Sequence, residues 1–85
     1  MNLVKFTEIM QRDIADWKGD NVYKGLQIIA KYVDPERYNI VTGSSQDILY
    51  SVKAKILANK ITEESAICLR QLNWMINDDY IACYT

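Results

Sequence analysis

The sequence predicts an α+β domain: two N-terminal helices, then a small two- or three-stranded, mainly antiparallel sheet with a C-terminal helix packed on it. Three observations carry this reading. Apolar residues recur at three- and four-residue spacing between Leu3 and Val33, which is a helical period. After Asp34-Pro35 the chain turns to short runs rich in β-branched and aromatic residues, which is strand composition. Ile61-Thr62-Glu63-Glu64 then has the form of a capped helix start. With 85 residues the whole of 1–85 is expected to be one domain.

Asn2 to Trp17 reads as the first helix. Leu3, Phe6, Met10, Ile14 and Trp17 form its apolar stripe, Val4 and Ile9 widen it, and Asn2 suits the cap. Gly19 can close that helix and Asp20 can cap a second one over Asn21 to Val33. Val22, Leu26, Ile29 and Val33 make its inner stripe, helped by Ala30. Gly25 falls mid-helix, where glycine costs about 1 kcal/mol against alanine. It either admits close approach of another backbone or is simply tolerated. Asp34-Pro35 ends the helix, because the residue before proline is pushed out of the helical region.

Tyr38 to Thr42 reads as a short strand, Gly43-Ser44-Ser45-Gln46 as a turn and Asp47 to Val52 as a second strand. In that strand Ile48, Tyr50 and Val52 share one face, and Leu49 and Ser51 the other. Lys53 to Asn59 is read as a short helix. The closing unit starts at Thr62, whose hydroxyl suits an N-cap, with Glu63 and Glu64 where the helix dipole favours negative charge. Cys68, Leu69, Leu72, Met75 and Ile76 form its inner stripe, and Ile67, Gln71 and Trp74 a second face about 100° away. Asn77-Asp78-Asp79 turns the chain into a last strand, Tyr80 to Tyr84. Its expected partner is Ile48–Val52, with the direction left open.

Composition limits function. The hydrophobic fraction is 49% and the charged fraction 25%, which are globular values. The formal net charge of −1 lacks the basic excess of a nucleic-acid binder, so direct nucleic-acid binding is not expected. Charge is locally uneven: Lys53, Lys55 and Lys60 give +3 over Ile48–Thr62, while Glu63–Thr85 carries −3. Two solvated faces or a polarised partner surface both fit. No apolar run is long enough to span a membrane or to serve as a signal peptide. Cys68 and Cys83 cannot make a disulfide framework, both fall at positions read as core, and a cytoplasmic setting is expected.

Catalytic chemistry has little to draw on. There is no histidine, so neither a usual triad nor a common metal ligand is present, and no phosphate-binding glycine motif occurs. Glu63/Glu64 and Asp78/Asp79 are carboxylate pairs better explained as dipole partner and turn. Gly43-Ser44-Ser45 offers backbone amides to an anion, with a plain loop as the simpler reading. No catalytic residue, metal site or cofactor is therefore expected. What stands out is six tyrosines and two tryptophans, residue types that dominate binding hot spots. Trp74, Tyr80, Tyr84, Tyr23, Tyr32 and Tyr38 are the aromatic candidates. Ile67, Trp74, Asp78, Asp79, Tyr80 and Tyr84 are the expected partner-binding set.

Asp47-Ile48-Leu49-Tyr50, the capped Ile61-Thr62-Glu63-Glu64, Leu69-x-x-Leu72-Asn73-Trp74 and a closing aromatic strand together resemble small uncharacterised bacteriophage and mobile-element proteins. The resemblance covers the C-terminal half. It implies an accessory role in a bacterial host cell: modulating a host factor or countering host defence, as anti-CRISPR proteins do against a CRISPR effector. It transfers no functional residue. The leading expectation is a non-enzymatic module that binds a host protein or protein complex. The alternatives are a small-molecule or nucleotide binder acting as a homo-oligomer, and a minor carboxylate-based enzyme.

Overall fold

The structure is a computed structural model that describes residues 1–16 and 19–85. Among the described residues four helices and four strands follow in the order α1 (Leu3–Met10), α2 (Asn21–Tyr32), β1 (Gly43–Ser45), β2 (Ile48–Lys53), α3 (Ala54–Ala58), α4 (Glu63–Gln71), β3 (Trp74–Asn77) and β4 (Tyr80–Tyr84). The α+β class holds, and the sheet has one strand more than the largest number predicted. Its order is β1-β2-β4-β3 and every pairing is antiparallel. The pairing of the last strand with Ile48–Val52 is the one expected from the sequence, with its direction now settled as antiparallel.

Local chemistry explains most element ends. Asn2 caps α1 by accepting from the Lys5 amide at 2.8 Å, and Thr62 caps α4 by accepting from the Ser65 amide at 3.2 Å. Asp20 caps α2 by accepting from the Tyr23 amide at 3.2 Å. Past Tyr32, Asp34 forms a side-chain turn, its carboxylate accepting from the Glu36 amide at 2.9 Å. Asp78 (φ 53°) and Asp79 (φ 68°) both lie in the left-handed region that a tight two-residue hairpin demands.

Several boundaries differ from expectation. The first helix ends at Met10 rather than Trp17, because the chain beyond it is bonded to α4 instead. The Asp16 amide donates to Gln71 O at 2.8 Å, and Arg70 Nε donates to Arg12 O at 2.8 Å. Trp17 lies outside the described residues. Leu3 and Val4, expected in the stripe, are exposed, while Phe6, Ile9 and Met10 are buried. Tyr38–Thr42 is not a strand. Its polar groups reach β2 irregularly: Thr42 Oγ1 donates to Ser51 O at 2.6 Å, and Ser51 Oγ donates to Ile40 O. Gly43–Ser45 becomes β1, which moves the turn to Gln46-Asp47.

The largest correction concerns the last helix. It stops at Gln71, and Asn73 adopts a left-handed φ of 66°, which breaks the helix and starts β3. Trp74, Met75 and Ile76 are therefore strand residues, and the second helical face of Ile67 and Trp74 does not exist. Ala66 and Leu69 are the buried residues of α4, whereas Cys68 is exposed. Of the two cysteines only Cys83 is a core residue, and burial pushes its thiol up to about 11. Alkylation of the native protein at neutral pH is accordingly expected to add one group, at Cys68, with Cys83 reacting only after denaturation. Mass spectrometry reads this directly, and equal labelling of Cys83 in the native state would contradict its burial.

The core lies between the helices and one face of the sheet. Phe6 and Ile9 of α1, Ile29 and Val33 at the end of α2, and Leu69 of α4 are fully buried with Trp74, Ile81 and Cys83 of the strands. Among the described residues no helix is long and apolar enough to cross a membrane.

Candidate functional site

Strand register determines what each sheet face presents. Residues paired across antiparallel strands project to the same side, and neighbours along a strand to opposite sides. Cys83 pairs with Leu49 and Trp74, and Ile81 with Ile76, so these side chains share the helix-covered face. Tyr84 pairs with Ile48, Ala82 with Tyr50 and Met75, and Tyr80 with Lys53 and Asn77. That second set occupies the other face. None of Ile48, Tyr50, Met75, Tyr80 or Tyr84 belongs to the core cluster or packs against it. Tyr84 is 51% exposed, and the other four are partly exposed.

A bulge in β2 sharpens the division. Tyr50 pairs with Ala82 and Lys53 with Tyr80, so Ser51 and Val52 together oppose Ile81. The extra residue lets Val52 enter the core while Tyr50 and Lys53 both stay on the uncovered face. Simple alternation, which puts Tyr50 and Val52 together, does not survive it. Ala82 is fully buried on this face, a small side chain beneath larger neighbours.

The rings are arranged rather than scattered. Tyr50 and Tyr80 meet edge to face, with centroids 6.3 Å apart and planes at 81°. Lys53 Nζ lies 5.9 Å from the Tyr80 centroid. Beside the pair is an open hollow of about 340 Å³ lined by Thr42, Gly43, Tyr50, Asp78 and Tyr80. Asp79, the other turn residue, lines a different hollow of about 370 Å³ with Leu3, Lys53, Lys55 and Ile76. It also anchors α3, its carbonyl accepting from the Ala54 amide at 2.8 Å.

The expected partner-binding set is thus divided. Asp78, Tyr80 and Tyr84 fall on or at the rim of the uncovered face. Ile67 is half-buried on α4, packed against the core. Trp74 has no exposed surface: it points to the helix side, opposite to Tyr84, and its Nε1 donates to Asn21 O at 2.9 Å. Trp74 and Tyr84 are therefore not exposed side by side. Tyr50, Ile48 and Met75 complete the face and were missing from the expected set. The alternation of Ile48 and Tyr50, set beside that of Tyr80 and Tyr84, is the signal that could have found them.

The remaining aromatics serve other ends. Tyr32 Oη and Ser65 Oγ are 2.7 Å apart, and Thr62 Oγ1 lies 3.3 Å from the same hydroxyl, which ties α2 to the start of α4. Hydrogen bonds from Ser65 first and Thr62 second lower the Tyr32 pKa. Tyr38 holds Arg37 and Lys60 against its ring, at 5.8 Å and 5.6 Å. Tyr23 is exposed on α2. Glu63 pairs with Lys5 at 3.0 Å, an exposed link between α4 and α1. Among the described residues, no three of Asp, Glu, Cys and His converge as metal ligands. Compared with protein-family models, curated proteins and solved structures, the chain matches none.

Proposed function

We propose that this protein is a non-enzymatic binding module that grips a larger protein through the uncovered face of its sheet. One observation carries the reading: Ile48, Tyr50, Met75, Tyr80 and Tyr84 form a contiguous apolar and aromatic surface that the chain's own helices leave uncovered. Folding is already satisfied on the opposite face, so rings on this side are free to bury area against a partner. Tyrosines suit such a role, since each brings a large rigid surface at low entropy cost and a hydroxyl for the rim.

The narrower role, an accessory protein that modulates or inhibits a host defence protein in a bacterial cytoplasm, rests on the sequence resemblance alone. It selects the first baits to try. The test is capture from a bacterial host extract by the wild-type chain and by a Tyr80→Ser/Tyr84→Ser variant. Both substitutions are on the uncovered face, so the variant is expected to fold. A specific protein retained by the wild type and lost with the variant supports the reading. An identical set retained by both contradicts it.

A further inference from the structure

From the hollow beside Tyr50 and Tyr80 we infer a cation-binding subsite that receives an arginine- or lysine-type side chain of the partner. The inference rests on the proposed docking face and names the group that anchors there. Three features of the hollow point the same way. Its walls include two tyrosine rings set edge to face, and a ring face attracts a cation through its quadrupole. Its lining includes Asp78, an exposed acidic residue with no ion pair among the described residues. Its lining contains no cation, since Lys53 sits against Tyr80 from outside the hollow. Lys53 also shows that this ring already draws an ammonium group when one is tethered nearby. With about 340 Å³ open to solvent, the hollow has room for a guanidinium and the upper part of its stem.

The chemistry of the occupant follows from charge. An anion would meet Asp78 in a lining that holds no cation to offset it. A neutral apolar group would leave the charge of Asp78 without a partner. A cation satisfies both the rings and the acid, and guanidinium is the better fit because it is planar and stacks on aromatic faces. The Asp78 backbone conformation also makes the key substitution clean. Asparagine adopts a φ near 53° as readily as aspartate, so Asp78→Asn removes the charge and keeps the turn.

The experiment is a titration of the ¹⁵N-labelled chain with acetyl-Gly-Arg-Gly-amide, followed by amide shifts. Its lysine and citrulline counterparts and a short oligothymidine are run in parallel. The expected result is saturable shifts at Thr42, Gly43, Tyr50, Asp78 and Tyr80 with the arginine peptide, and weaker ones with lysine. Citrulline, which keeps the shape and loses the charge, gives none. A lone side chain binds on the order of millimolar. Asp78→Asn is expected to weaken it about fivefold. Tyr50→Leu abolishes it while Tyr50→Phe, which keeps the ring, retains it. Equal shifts with citrulline, or no saturable shift in the hollow, overturn the subsite even if a captured partner still depends on Tyr80 and Tyr84. Shifts caused by oligothymidine alone overturn it in favour of base stacking. Shifts that appear on concentrating the protein without peptide overturn it in favour of a second copy of this chain.

Discussion

Gly25→Ala is expected to destabilise the protein by about 3 kcal/mol or more, despite the helix propensity that alanine gains. A Cβ at residue 25 would sit 1.9 Å from Trp74 Nε1 and 2.2 Å from Trp74 Cε2. Ordinary contact is at about 3.5 Å, so α2 and the indole must separate by roughly 1.5 Å. Neither yields easily. The indole is fully buried and bonded to Asn21 O at 2.9 Å, at the start of the same helix. A domain of this size has only about 4–13 kcal/mol in total. Thermal melts are expected to show a Tm lower by roughly 12–24 °C. A melt unchanged within error would mean that helix and indole are not in contact. The sequence left two readings of Gly25, close approach of a backbone or plain tolerance. The structure replaces both with close approach of a side chain.

Trp74→Ala carries the second large effect, an expected loss of about 3–5 kcal/mol. The indole fills the space between α2 and β3 and is among the largest fully buried side chains. Its removal leaves a cavity that no neighbouring element can close without shifting, and it withdraws the hydrogen bond that the indole donates to Asn21 O. Urea unfolding measures the loss. In a Trp17→Phe background, Trp74 fluorescence is expected to be blue-shifted and protected from iodide in the folded state. The two sites are also expected to couple. Gly25→Ala combined with Trp74→Phe should cost less than the sum of the single changes, because the smaller ring relieves the clash. Strict additivity would contradict the contact.

How much was legible in the sequence depends on what each feature rests upon. Caps were readable because they are local: Asn2, Asp20 and Thr62 each bond an amide three residues on. The β4 strand and its pairing with β2 were readable from alternation. The end of α4 was not, because Leu72, Met75 and Ile76 continue a helical spacing as well as they begin a strand. What decides between them is the hairpin. Asn73 accepts a left-handed conformation, and the Asp78-Asp79 turn then folds Trp74–Asn77 back along Tyr80–Tyr84, which buries the indole. Tertiary pairing thus overrode local period.

The candidate site was half legible for the same reason. Tyr80, Tyr84 and Asp78 were found from aromatic abundance and turn chemistry. Trp74 was misplaced with the helix boundary, and Tyr50 was missed because a residue on another strand joins the face only through the register and the β2 bulge. Several charges of the polarised segment have local partners. Lys60 is over Tyr38, Lys53 is over Tyr80, and Glu63 meets Lys5.

The central claim is that the uncovered sheet face docks a protein partner, and photo-crosslinking tests it most directly. A benzophenone amino acid is placed at Tyr84 in one variant and, as control, at Tyr23 on α2 in another. Both positions are more than half exposed, at 51% and 58%, so neither substitution disturbs the core. The account predicts a specific crosslinked adduct from position 84 and none from position 23. An adduct from position 23 with silence at position 84 would place the interface on the helices and contradict it.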